Sequence, residues 1–250
     1  MSSFKDKTYL ITGATSGIGN AISIELLNQG ANVVGLGRSK EKVQDLQNNY
    51  GSERLIFLEI DLSITENIEN HLKTIIDRIS RKLDGLVLCA GKEETLPLSS
   101  QKTDKIKSIF DINLFANIEI IRLFSKKKFS NNESSIIVVS SVMSTVGQPG
   151  KVGYCSSKSA ILGLVKASAL ELAKRGIRIN AVSPGVVLTP MTQSLFEQIS
   201  QENIDSIEDM HPLGFGNVSD ISPLIIFLLS SASRWITGQN YIIDGGYSIH

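Results

Sequence analysis

Cysteine is scarce in this chain. Cys89 and Cys155 are the two in 250 residues, and their spacing fits neither a zinc cluster nor a redox pair. A disulfide framework is therefore excluded, and a reducing compartment is expected. Histidine is almost as rare: His71, His211 and His250 are scattered and read as surface or loop residues, a substrate role for His211 being the lesser reading. No histidine or acid stands in a nucleophile-elbow context, so a serine-hydrolase reading has little support. An excess of either charge is also missing, because 25 basic residues balance 25 acidic ones. That balance gives no broad attraction for nucleic acid or for an anionic membrane. No apolar run is long enough to cross a bilayer. The opening MSSFKDKTYLITG enters a strand pattern at once, without the charged and apolar regions of a signal peptide, so the expected location is cytoplasmic. Repeats and low-complexity stretches are absent, and the length suits one core, so a single domain over 1–250 is expected.

What is present is a rhythm of short apolar runs alternating with longer amphipathic stretches. The runs are TYLIT (8–12), NVVGL (32–36), LIFLEI (55–60), GLVLC (85–89), SIIVVS (135–140), RINAVS (178–183) and QNYIID (239–244). Helical patterns such as 17–29, 65–81, 102–128 and 153–175 lie between them. Continuous apolar strands separated by helices predict an α/β chain: a doubly wound, seven-stranded parallel sheet covered on both faces. The stretch 189–217 breaks the rhythm, mixing a short helical signal with Pro190, Pro212, Gly214 and Gly216. It reads as a mobile excursion, of a length often used for a substrate lid.

The first strand runs into TGATSGIG at 12–19, with Gly13, Gly17 and Gly19 spaced G-x3-G-x-G before a helix. Such a turn lets the backbone approach a pyrophosphate, and the helix amino end favours its charge. Nucleotide binding is the expectation, a merely tight structural turn being the lesser reading. At the end of the second strand, Gly37 stands where a ribose-binding acid is usual, and Arg38 follows. An arginine fork without a neighbouring carboxylate suits a 2'-phosphate, which favours NADP(H) over NAD(H); a plain solvated arginine is the alternative. Asp61, at the end of the third strand, can accept from an adenine amino group or cap the following segment.

Tyr154 and Lys158 in YCSSK fall one turn apart on a helix. A neighbouring ammonium favours the phenolate, so the pair can lower the tyrosine pKa and exchange a proton with an alcohol oxygen. Taken alone, the spacing is common enough that an ordinary surface pair is the leading reading, and only the neighbouring residues change that weight. Ser141 lies where strand 135–140 ends, at the edge where a parallel sheet builds its site, and can orient a carbonyl oxygen beside Tyr154. Asn113 sits inside a long helical pattern that it serves poorly. Its side chain or its backbone can hold a water in a relay from Lys158.

Taken together, TGATSGIG, CAG at 89–91, Asn113, Ser141, YCSSK and SPGVVLTPM at 183–191 resemble the short-chain dehydrogenase/reductase family. The ending WITGQNYIIDGGYSIH is similar to that of small 3-oxoacyl carrier-protein reductase-like members. The resemblance implies a Rossmann-type fold and an oxidoreductase acting on a carbonyl or secondary alcohol, with NADP(H) preferred and NAD(H) possible. It also implies a homotetramer or homodimer built through the helices at 102–128 and 153–175. Position by position, it makes Asn113, Ser141, Tyr154 and Lys158 catalytic, with Lys158 also bonding the nicotinamide ribose. Gly13, Ser16, Gly17, Ile18 and Gly19 would line the pyrophosphate and adenosine, Asp61 and Leu62 the adenine, and Ala90 and Gly91 the adenosine ribose. Pro184, Gly185, Val187 and Thr189 would hold the nicotinamide. Leu88 and Cys89 depart from the pattern, since many relatives carry two asparagines there. A small-molecule substrate is expected, with no metal; a nucleotide-binding sensor or scaffold and a Schiff-base lyase are the readings from other classes.

Overall fold

The computed structural model describes residues 4–249, so the reading of His250 lies outside the described residues. Seven strands form one all-parallel sheet: β1 (Thr8–Thr12), β2 (Asn32–Gly37), β3 (Leu55–Glu59), β4 (Leu83–Leu88), β5 (Ser130–Val139), β6 (Arg178–Pro184) and β7 (Asn240–Ile243). Their spatial order is β3-β2-β1-β4-β5-β6-β7. The chain leaves β1 in one direction and returns to place β4 on its other side, which opens a crevice at the carboxyl ends of β1 and β4.

The helices are α1 (Gly17–Asn28), α2 (Gln44–Tyr50), α3 (Ile68–Ile79), α4 (Thr103–Phe110), α5 (Ala116–Phe124), α6 (Val152–Leu172), α7 (Pro190–Phe196), α8 (Gln201–Asp209) and α9 (Val218–Leu229). Alternate strand residues point to opposite faces, and both faces are covered, so the central stretches of the strands are mostly apolar. On one face Leu10, Leu36, Leu86 and Val138 meet Ile75 of α3, Ile120 of α5 and Ile161 of α6. On the other, Ile11, Val33, Val87 and Val182 meet Ile22 and Leu26 of α1 and Ile225 of α9. β7 closes one edge and is only half-buried.

The expected strands are all present, with shifted ends. β5 starts five residues earlier than its apolar run, because Ser130 pairs with Leu83 across an irregular register. The polar, exposed Asn131–Glu133 gives that extension no apolar signature. The helix expected over 102–128 is interrupted by a π-helical turn at Asp111–Phe115. The stretch 189–217 holds two helices, α7 and α8, rather than one short helical signal. Its root is tied to the segment after β6, where Leu188 donates to the Gly216 carbonyl (2.8 Å) and Gly216 to that of Val186 (3.0 Å). Among the described residues, no helix is long and apolar enough to cross a membrane.

Candidate active site

The turn after β1 has room only for glycine. Gly13 and Gly17 have φ of +68° and +54°, the left-handed region that side chains disfavour. A Cβ on Gly19 would lie 2.5 Å from the Gly13 carbonyl oxygen, so α1 starts directly against the turn. Thr12 Oγ1 accepts from the Ala90 amide at 3.0 Å and laces the ends of β1 and β4 across the crevice. Ser16, exposed and extended, precedes the first turn of α1, and Ile18 packs half-buried against the core. A Cβ on Gly17 would meet Thr189 Cγ2 at 3.2 Å, so the turn also abuts the start of α7.

At the end of β2, a side chain on Gly37 would meet Thr15 at 2.9 Å and Phe57 at 3.2 Å. A side chain there would have to displace Thr15 or the Phe57 ring, which disfavours an acid, and Arg38 stands exposed beside it. Asp61 Oδ1 accepts from the Ser63 amide (2.9 Å) and hydroxyl (2.7 Å). Those bonds hold the Asp61 carboxyl below the usual range, the Ser63 amide first, with the Arg38 charge adding to the effect. The local turn thus uses one carboxylate oxygen of Asp61. Leu62 is buried beneath it in the core.

Ser141 lies two residues past β5 and caps a 3-10 turn at Val142–Ser144, its Oγ accepting from the Met143 amide at 3.2 Å. α6 carries Tyr154 and Lys158 on one face, with Lys158 Nζ 5.7 Å from the Tyr154 ring centroid. Lys158 is 4% exposed, and its Nζ donates to the Val139 carbonyl at 3.0 Å. Asn113 is fully buried in the π-helical turn: Oδ1 accepts from the Lys92 amide (2.8 Å), while Nδ2 donates to the Lys92 carbonyl (3.0 Å) and Ser157 Oγ (2.9 Å). A Cβ on Gly91 would sit 3.4 Å from Asn113 Oδ1 and 3.6 Å from Lys158 Nζ. Pro184 ends β6, Gly185 has no room for a side chain against Asp244 (2.8 Å), and Val187 is buried. Thr189 caps α7.

Two corrections emerge. Burial pushes the Tyr154 phenol above the ordinary tyrosine range, and the Glu93 carboxylate adds to this, against a hydrogen bond with Ser141 that favours ionisation. The expected lowering by Lys158 is absent: its ammonium, 5.7 Å from the ring centroid, donates to the Val139 carbonyl, while burial pulls Lys158 itself down to about 8. His211, read as a surface or loop residue, does lie in the loop between α8 and α9 but is 4% exposed and so not at the surface. Cys89 is a half-buried free thiol whose pKa burial pushes up to about 12.

Sequence reasoning missed Thr12, Tyr247 and the ion pair of Lys151 with Glu93. Glu93 lies in the loop after β4 and Lys151 just before α6, both largely buried beside Tyr154. Tyr247, from the tail after β7, is buried against Val142 and Met143 together with Tyr154. Thr12 was legible as the last residue of β1, whereas nothing local links positions 93, 151 and 247.

The cradle at Gly13 and Gly19, its contact with Thr189 and the nearby Ser141, Tyr154 and Lys158 fit a nicotinamide dinucleotide lying across the crevice. A family model described as Enoyl-(Acyl carrier protein) reductase matches residues 13–248. The chain belongs to the short-chain dehydrogenase/reductase family. Its curated relatives include the 3-oxoacyl-(acyl-carrier-protein) reductase FabG of Rickettsia bellii, 35% identical over 247 residues covering 98% of each chain. A solved 4-hydroxyisoleucine dehydrogenase complexed with NADH superimposes with a TM-score of 0.90 at 32% identity, covering 98% of this chain and 100% of that one. A structure of ElxO with NADP bound gives 0.86 at 30% identity, covering 98% and 100%. As a short-chain dehydrogenase/reductase, the chain is an oxidoreductase acting on CH–OH and ketone groups with a nicotinamide dinucleotide. NADP(H) is the form that Gly37 and Arg38 favour, and NAD(H) is the alternative.

Proposed function

We propose that this short-chain dehydrogenase/reductase reduces a 3-oxoacyl thioester or small ketone with NADPH, as one cytoplasmic catalytic domain whose lid is 189–217. The observation that carries the reading is the convergence of Ser141, Tyr154 and Lys158 beside the glycine cradle. The chemistry supplied by the bound nicotinamide is hydride transfer to a carbonyl carbon. Ser141 holds the carbonyl oxygen, and Tyr154 gives that oxygen its proton, leaving an alcohol. A phenol kept protonated by burial suits the reducing direction at neutral pH. Lys158 bonds the nicotinamide ribose, and Gly13, Ser16, Gly17, Ile18 and Gly19 hold the pyrophosphate side. Asp61, Leu62, Ala90 and Gly91 take the adenosine, and Pro184, Gly185, Val187 and Thr189 the nicotinamide. A second reading, an NAD(H)-linked dehydrogenase of a charged alcohol, is favoured by the Glu93–Lys151 pair beside Tyr154 and by the 4-hydroxyisoleucine dehydrogenase likeness.

A homotetramer is supported by exposed large apolar side chains: Phe115, Ile118 and Leu170 on the π-helical turn, α5 and α6, and Phe227, Trp235 and Ile242 on α9, the segment after it and β7.

A panel of carbonyls and alcohols run with NADPH and NADH tests the reading, with sedimentation of the same protein reporting its assembly. NADPH is expected to bind at least about tenfold more tightly than NADH, and Arg38→Ala to erase most of that margin with little effect on NADH. Equal affinity in the native protein would overturn the NADP assignment, and a monomer the assembly.

Lys158 predicts a pH effect. With its folded value near 8 rather than 10.5, it is an ammonium below about pH 8 and an amine above. Binding that requires the ammonium then requires proton uptake at higher pH, so NADPH affinity is expected to fall by up to about tenfold per pH unit above 8. In Lys158→Met that slope disappears. Fluorescence titration from about pH 7 to about pH 10 measures both, and a flat native profile contradicts the role.

A further inference from the structure

Among the described residues 190–217, His211 alone is buried. The two lid helices contribute no buried side chain, so the lid has one interior anchor. That anchor is bonded through both ring nitrogens. The Val186 amide donates to Nε2 at 3.2 Å, and Nδ1 lies 2.8 Å from the Ile207 carbonyl of α8. Because Nε2 accepts, these partners require a neutral ring whose proton sits on Nδ1 and is given to Ile207.

The position of Val186 gives this bond its interest. It lies between Gly185 and Val187, in the segment read above as the nicotinamide cradle. Gly185 donates to the Ile243 carbonyl and Leu188 to that of Gly216, whereas Val186 depends on a side chain. The other faces of the imidazole meet two aromatic rings. Tyr247 lies 4.7 Å from it, centroid to centroid, and is itself buried in the group that includes Met143 and Tyr154. Phe215, from the lid's return, meets the ring edge-on at 5.7 Å.

We propose that His211 is a positioning residue that sets the backbone at Val186 for the nicotinamide end of the cofactor and makes that backbone move as one with α8. It therefore couples cofactor binding to the lid. The inference rests on the reading of 184–189 as the nicotinamide segment.

Two substitutions separate the two nitrogens. In His211→Asn the amide nitrogen takes the place of Nδ1 and can still donate to Ile207, but nothing reaches Val186. In His211→Gln the amide oxygen extends to the place of Nε2 and can accept from Val186. The readouts are amide exchange at Val186 in the cofactor-free protein, the NADPH dissociation constant and the split between KM and kcat. His211→Asn is expected to speed exchange at Val186 and weaken NADPH binding, each by about tenfold, as loss of one buried hydrogen bond implies. Its kcat at saturating NADPH is expected to fall less than its affinity. His211→Gln is expected to stay within about threefold of native in all three, against the tenfold loss of a broken bond. Native exchange and affinity in His211→Asn would overturn the proposal. So would equal damage in both variants, which would make His211 a space-filler. If the native protein does not bind NADPH, the cofactor reading fails, while exchange at Val186 still decides whether His211 holds that backbone.

Discussion

Tyr154→Phe is expected to bind NADPH as the native protein does and yet turn over its best carbonyl substrate at least about a hundredfold more slowly, the low end for loss of a general acid. The ring stays in the same packing against Val142, Met143 and Tyr247, so the fold around it is retained. What disappears is the hydroxyl that bonds Ser141, and with it the proton that the new alcohol oxygen must receive. Burial and Glu93 hold the phenol protonated through neutral pH, so the acid form is the resident form. Oxidation of an alcohol needs the phenolate, so removing Glu93's charge by Glu93→Gln would ease that direction. Single-turnover kinetics with cofactor already bound isolate the step. A native rate in Tyr154→Phe would place the proton donor elsewhere.

The architecture was legible because both faces of the sheet are covered, so each strand appears as an apolar run. The glycine turn was legible because steric need, as at Gly19 against Gly13, can be met by only one residue type. Tyr154, Lys158 and Ser141 were readable from helix periodicity and a strand end. Their electrostatics were not, since depth of burial and the approach of Glu93 from another loop are tertiary facts. α9 was not singled out, its run PLIIFLL lacking clear helical alternation and containing Pro223. His211 escaped because its value lies in partners at Val186 and Tyr247. No local pattern announces a buried histidine.

Asn113 shows the same division, and it carries the other large expected effect. The sequence placed it in a water relay by side chain or by backbone; the structure commits the side chain to clamping Lys92 through both backbone groups and to Ser157. Its carbonyl accepts from Asn117 Nδ2 at 2.8 Å. The clamp sets the loop that begins at Gly91, beside Lys158. Asn113→Ala removes the partner of the Lys92 amide and carbonyl, while Ser157 keeps its bond to the Tyr154 carbonyl. Two polar groups stranded in a largely enclosed place cost roughly 3 kcal/mol in all. For a chain of this size, that corresponds to a fall in Tm of about 6–12 °C. Turnover is expected to fall too, because the loop facing Lys158 loses its register. A residue acting only through a carbonyl-held water would keep its melting temperature on truncation to alanine, since the backbone is unchanged. Thermal denaturation of Asn113→Ala beside its turnover therefore separates the two roles: a drop in both supports the clamp, and a native Tm with native turnover leaves Asn113 only what its backbone carbonyl can do.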